Sequence, residues 1–138
     1  MELCFQNANK LLCQEFEEMR AAYDSEPEDY VCGTEELSYV FYEGVFQPFF
    51  LKHLKAGDRL MLKRICDFIE RLLTSGDPAL ENLAAVAVCE SSYFDNVCED
   101  YRDILFECCG KETLCCFHER LPEKDKADWK IRLDQMPA

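Results

Sequence analysis

The sequence is poor in the residues that interrupt secondary structure and in those that bind anions. Only five of its 138 residues are glycine and five are proline, which excludes a loop-rich or disordered chain. It has no glycine-rich phosphate-binding loop, and its 15 lysines and arginines do not cluster. Because 28 acidic residues give a formal net charge of −13, we expect the surface to repel nucleic acids and anionic lipids.

Signals for export and for membrane insertion are also missing. The first ten residues, MELCFQNANK, contain no basic region followed by an apolar run, so they do not predict a secretory signal. The longest apolar run, LAAVAVC at 83–89, is too short to cross a bilayer. We therefore expect a cytoplasmic protein with no membrane partner, in which the cysteines remain reduced.

The sequence does have enough apolar residues for one folded domain. Hydrophobic residues make up 49% of the chain, and a domain of this size buries about two-thirds of the surface that its unfolded chain exposes. Folding therefore needs neither a metal nor a disulfide. We expect one domain over residues 1–138 and no cofactor.

The spacing of apolar residues predicts an all-α fold, a single compact bundle of six to seven helices. The tail at 127–136 fits both a strand and a helix, and the lack of another strand to pair with favours a helix. The other predicted helices span residues 3–23, 35–56, 59–75, 78–94, 96–109 and 113–120.

Proline, glycine and aspartate mark the ends of these helices. Pro48 would clash with the carbonyl of Gly44, so the second helix is predicted to be kinked between these two residues. Gly57 ends that helix and Asp58 caps the third. In Gly76-Asp77-Pro78, glycine ends the third helix, aspartate caps the fourth, and proline takes its first position.

Ten cysteines are the most unusual feature of the composition, and four of them lie in ECCGKETLCCFHE at 107–119. Adjacent cysteines on a helix diverge by about 100°, so this spacing does not match the short-spaced pairs that bind zinc. We predict no metal site. The ligands for the zinc alternative would be Cys108, Cys109, Cys115, Cys116 and His118.

A catalytic thiol is not predicted either. His118 shares a helical face with Leu114 and Leu121, which indicates a packed histidine rather than a base. The acidic surface also favours the protonated thiol. Because cysteine is among the most buried residue types, the cysteines are interpreted as small apolar core residues. A cysteine-dependent metal-binding or redox protein that uses residues 108–118 remains the alternative.

Two glutamates are candidates for special roles. Glu70 falls on the polar face of the third helix, and we predict that it is solvated. Glu90 has Val86, Ala87 and Tyr93 one helical turn away on either side, so we predict a partly buried structural acid that needs a hydrogen-bond donor. Neither glutamate belongs to an acid–base pair, and no catalytic residue is predicted.

Acidic residues and tyrosines form the one candidate binding surface. Acids steer basic partners and tyrosines provide contact area, although an ordinary solvated surface has a similar composition. The predicted partner-binding residues are Asp24, Glu26, Glu28, Asp29, Tyr30, Tyr93, Asp95, Glu99, Asp100, Tyr101 and Asp103.

Two consecutive stretches, LKRICDFIERLL at 62–73 and SGDPALENLAAVAVCES at 75–91, carry a family resemblance. They resemble a family of small uncharacterised bacterial all-helical proteins that includes immunity-type proteins of toxin systems. Glu70 and Glu90 match the glutamates that end two helices in that pattern. The DWKIRL stretch at 128–133 is a weaker match to a C-terminal helix, and the many cysteines depart from the pattern.

The resemblance implies a helical fold and a binding role. The expected function is that of a non-enzymatic acidic protein-binding module, an immunity-type inhibitor that occludes a basic toxin. Its partner would be a basic protein. The sequence determines neither the partner's identity nor the contact face, and it leaves the oligomeric state open.

Overall fold

The computed structural model describes residues 4–21, 39, 41–90 and 100–136, and every regular element in these ranges is helical. The predicted all-α bundle is therefore confirmed. Short 3₁₀ turns at Phe5–Asn7 and Glu17–Met19 flank the first α-helix, and π-helical turns at Tyr42–Phe46 and Ala85–Glu90 extend two others. The α-helices are α1 (Ala8–Glu15), α2 (Gln47–Ala56), α3 (Arg59–Leu73), α4 (Pro78–Ala84), α5 (Arg102–Cys108), α6 (Lys111–Glu119) and α7 (Glu123–Asp134).

Helix α3 organises the bundle, because it packs against α2, α4, α5 and α6. Its buried residues recur at three- and four-residue steps, as one face of a helix requires. They are Leu62, Ile65, Cys66, Phe68, Ile69 and Leu72. No helix within the described ranges is long and apolar enough to span a bilayer.

The predicted helix ends are confirmed at α3 and α4. The Asp58 carboxylate accepts a hydrogen bond from the Met61 amide at 3.2 Å, and Asp77 accepts one from the Ala79 amide at 3.0 Å. Gly57 and Gly76 adopt left-handed φ angles of 68° and 82°. These are the conformations in which a residue without Cβ ends a helix most easily.

The first predicted helix, 3–23, is wrong as a continuous element. α1 ends at Glu15, and Phe16 is extended, with φ −127° and ψ 101°. This change of direction places the Phe16 ring in the core, where its centroid lies 5.9 Å from Phe46, 5.7 Å from Phe49 and 5.8 Å from Phe68. Burial among three aromatic rings outweighs the local preference for a continued helix.

The irregularity predicted between Gly44 and Pro48 is present as a π-helical turn. This turn, Tyr42–Phe46, continues directly into α2, and Pro48 lies in the first turn of that helix, where it cannot donate a hydrogen bond to the turn that precedes it. The Tyr42 hydroxyl donates a buried hydrogen bond of 2.7 Å to the Ala8 carbonyl. The irregular turn is therefore attached to α1.

The C-terminal segment is a helix, as predicted. In α7, Trp129 and Leu133 are buried four residues apart, whereas Ile131 is 57% exposed. A strand would have placed all three on one side. The start of the second predicted helix, at 35–38 and 40, lies outside the described residues, as do 91–99. Helix α5 itself begins at Arg102.

Alanine substitution at two glycines should change stability in opposite directions. Gly76→Ala should lower the free energy of unfolding by about 1 kcal/mol, because φ at this position is 82° and a Cβ is strained in the left-handed region. Gly44→Ala should raise it by up to about 1 kcal/mol, because Gly44 is exposed within a helical segment and alanine favours helices. Urea unfolding followed by circular dichroism measures both, and shifts of the same sign and size would contradict the different backbone roles of the two glycines.

Candidate functional site

The junction between α5 and α6 brings cysteines from several elements together. Cys109, which follows α5, donates a hydrogen bond from its sulfur to the sulfur of Cys66 in α3, at 2.9 Å. Cys116 in α6 receives a hydrogen bond from Cys89 in the π-helical turn. None of the eight described cysteines forms a disulfide, and six of them are buried. The sequence indicates buried thiols but not which of them meet.

The surroundings of these thiols change their pKa values in different directions. The hydrogen bond to Cys66 and burial hold the pKa of Cys109 well above its usual range. Burial, with Glu112 nearby, raises the pKa of Cys115. The hydrogen bond from Cys89 and the Arg120 guanidinium lower the pKa of Cys116, although burial opposes them. Adjacent residues of α6 therefore differ in their tendency to form a thiolate.

The five ligands considered for zinc do not converge. Across residues 4–21, 39, 41–90 and 100–136, no group of three or more His, Cys, Asp or Glu side chains could hold a metal ion. His118 is half-buried, and its Nε2 atom is buried without a hydrogen-bond partner in the same ranges. This is the packed histidine that its position beside Leu114 indicates.

Glu70 is not the solvated residue that the helical pattern predicts. Its Oε1 atom accepts hydrogen bonds from the Thr113 amide at 2.8 Å and from the Thr113 hydroxyl at 2.7 Å. Its Oε2 atom accepts one from the Glu112 amide at 3.2 Å. The end of α3 thereby caps the beginning of α6, where the positive end of the helix dipole also favours a carboxylate.

Gly110 explains why the cap comes from another helix. Gly110 is the N-cap residue of α6, so this helix has no capping side chain of its own. A Cβ atom added to Gly110 would lie 2.5 Å from the Glu70 carboxyl carbon. The glycine therefore leaves the space that the carboxylate fills. In the sequence, the glycine at the start of this helix is the signal that its cap comes from another part of the chain.

The predicted role of Glu90, the second glutamate of the sequence pattern, remains a prediction. Glu90 is the last residue of the π-helical turn Ala85–Glu90, but its side chain lies outside the described residues. Its proposed role as a partly buried structural acid is therefore untested.

Three of the eleven predicted partner-binding residues are described, and they lie together. Asp100, Tyr101 and Asp103 line a cleft of about 390 Å³ between the C-terminal end of α2 and the beginning of α5. Asp100 and Asp103 are exposed and Tyr101 is half-buried. The other eight lie outside the described residues, which are Asp24, Glu26, Glu28, Asp29, Tyr30, Tyr93, Asp95 and Glu99.

Arginines neutralise part of the acidic charge at this cleft. Arg132 approaches the Asp103 carboxylate at 2.6 Å, and Arg59 approaches that of Glu107 at the same distance. Both pairs are largely solvent-exposed, so each contributes little to stability. Because each carboxylate has an arginine beside it, the two pairs weaken the negative potential at the cleft.

A family model described as a domain of unknown function, DUF7674, matches residues 9–126. The chain belongs to the DUF7674 family. No curated protein and no solved structure gives a significant match. The matched range includes Glu70, Gly110 and the cysteine pairs, and it ends before Trp129. The family is uncharacterised, as expected, and its description mentions no toxin system, so it does not support the expected link to immunity-type proteins.

Removing the Glu70 cap should destabilise this DUF7674 protein. Glu70→Ala should lower the free energy of unfolding by about 1–2 kcal/mol, since a helix cap and the partner of the buried Thr113 hydroxyl are lost together. Asp67→Ala is the matched control, because Asp67 makes only an exposed ion pair with Lys63, worth about 0.3–0.5 kcal/mol. Equal losses in urea unfolding would contradict the capping role.

Gly110 should couple energetically to Glu70. Gly110→Ala should destabilise the wild-type protein strongly, because the new Cβ would meet the Glu70 carboxylate. The same substitution should cost less in a Glu70→Ala background, where the carboxylate is gone. A double-mutant cycle by urea unfolding measures this interaction, and strictly additive losses would show that the two residues do not share this space.

Proposed function

We propose that this DUF7674 protein is a non-enzymatic, acidic protein-binding module that acts as an immunity-type inhibitor of a basic toxin. The observation that carries the proposal is the uneven distribution of charge. Residues 22–38 contain six acidic residues and no basic one, whereas all 15 lysines and arginines lie in the ranges that the structure describes. The segment thus has no internal cation to offset its charge.

The cleft at α5 supports this proposal in a different way. Its Asp103 and Glu107 carboxylates already have arginine partners, so they add little steering charge. Tyr101, half-buried in the same cleft, belongs to the residue types that most often anchor protein interfaces. We assign long-range attraction to the acids of 24–30 and close contact to the cleft at Tyr101.

The mechanism that follows is occlusion of a positively charged site. Acidic residues accelerate encounter with a basic partner by electrostatic steering. Tyrosine contacts then slow dissociation, since affinity within one interface is mainly set by the dissociation rate. The inhibitor would block the toxin by covering its positive cleft, and it needs no chemistry of its own.

The test is binding to a basic toxin encoded beside this gene, measured as kinetics at two salt concentrations. Neutralising the four acids of 24–30 should reduce the association rate by at least about tenfold, and salt should have less effect on the variant than on the wild type. The variant combines Asp24→Asn, Glu26→Gln, Glu28→Gln and Asp29→Asn.

A control variant with the same change in net charge separates steering from overall charge. Its binding should stay within about twofold of wild type, because local charge controls the encounter. It combines Glu17→Gln, Glu18→Gln, Glu123→Gln and Asp134→Asn, all exposed acids of the described surface. Equal losses in both variants would overturn the assignment to 24–30. If no neighbouring gene encodes a basic protein that binds, the inhibitor proposal fails.

A further inference from the structure

A second cleft, with a volume of about 360 Å³, opens between α4 with its π-helical turn and α6. Its lining includes Cys115 and Cys116 from α6, the residue Arg120 that follows this helix, and Ala85 at the start of the π-helical turn. The cleft shares no residue with the one at Tyr101. A small solute can therefore reach the cysteines of α6 without passing through the cleft at Tyr101.

Within this cleft, Cys116 has the surroundings of a reactive thiol. Its residue is 7% exposed, and Cys89, which donates a hydrogen bond to its sulfur, is fully buried. Arg120 is held beside it, because Nη1 donates to the Cys116 carbonyl at 3.1 Å and lies 3.4 Å from the Glu119 carboxylate. Reactive cysteines combine partial access with a nearby cation, and Cys116 has both.

Two other thiols serve as internal comparisons. Cys66 and Cys109 have their sulfurs 2.9 Å apart, but neither residue lines either of the two clefts, and the pKa of Cys109 is raised well above its usual range. Cys115 is more exposed than Cys116, yet its pKa is raised. Cys109 therefore lies close to another thiol and Cys115 is partly exposed, but the raised pKa of each disfavours its thiolate.

We propose that Cys116 and Cys89 form a dithiol that hydrogen peroxide oxidises to a disulfide. The Cys116 thiolate attacks one oxygen of the peroxide, the O–O bond breaks, and the departing hydroxide takes up a proton as water. Cys116 is then a sulfenic acid. The Cys89 sulfur attacks the Cys116 sulfur, the S–O bond breaks, and the hydroxide leaves with the Cys89 proton as a second water. Two thiols are oxidised and one peroxide is reduced.

The location of Cys89 makes it the resolving thiol. It is already hydrogen-bonded to Cys116, and it is fully buried, whereas Cys116 lines the cleft, so peroxide meets Cys116 first. The disulfide would join the π-helical turn to α6, two elements that already pack against each other. Reduction by a cellular thiol would reverse it. This reactivity does not depend on the proposed binding to a toxin.

The test is limited oxidation of the intact, reduced protein by hydrogen peroxide, followed by alkylation and mass spectrometry. We expect a loss of two of the ten thiols and of about 2 Da, the mass of the two thiol hydrogens. Tryptic peptide 72–102 carries Cys89 and Cys98, and peptide 112–120 carries Cys115 and Cys116. Fragment ions of the linked pair should assign the bond to Cys89 and Cys116.

Serine variants test the role of each thiol. Cys116→Ser should slow the loss of thiols by at least about tenfold, because the thiol that lines the cleft and meets peroxide first is replaced. Cys89→Ser should prevent the disulfide and leave a sulfenic acid at Cys116 that dimedone traps. Cys115→Ser is the matched control from the adjacent position, and it should form the disulfide at the wild-type rate.

Three results would overturn the proposal. One is a Cys66–Cys109 disulfide formed at the same or a lower peroxide dose, and another is a bond that involves Cys32, Cys98 or Cys115. The third is a wild-type protein that keeps all ten thiols until it unfolds. Because the peptide map of the wild-type protein decides among these outcomes, a variant that fails to fold does not prevent the test.

Discussion

The carboxylate of Glu70 at the N-terminus of α6 is the interaction on which the candidate site depends. A helix of nine residues is marginal by itself, and this one begins on a glycine that cannot cap it. Two amides and one hydroxyl of α6 instead donate to a carboxylate of α3. This contact fixes where α6 starts relative to the central helix, and the positions of its cysteines follow from that start.

The thiol geometry is a consequence of this junction. The chain leaves α5 at Cys109 in an extended conformation, with φ −92° and ψ 148°, and its sulfur meets Cys66 one helical turn before Glu70 on α3. Gly110 then lets the Glu70 carboxylate approach. Helix α6 carries Cys116 to the π-helical turn, where it meets Cys89. One short junction thus creates a thiol pair that lines neither cleft and another pair beside a cleft.

Features that depend on neighbouring residues could be predicted from the sequence, and features that depend on distant ones could not. Asp58 and Asp77 cap helices that begin one residue later, so the local pattern identifies them. Glu70 accepts hydrogen bonds from Thr113, 43 positions away. Phe16 lies after the end of α1 and packs against Phe46, 30 positions away. Helical phase shows that adjacent cysteines diverge, but it cannot show that Cys116 meets Cys89 and Cys109 meets Cys66.

The two proposed roles rest on different physical forces and on separate clefts. Around Tyr101, arginines compensate the nearby carboxylates, so excess negative charge must come from segments without basic residues, and ionic strength will control its effect. Beside Cys116, the Arg120 cation lines the cleft and the fully buried Cys89 donates to the sulfur, and salt screens such partly buried groups much less. Helix α5 contributes Asp103 to one cleft and ends directly before the cysteine junction, so the same short helix supports both sites.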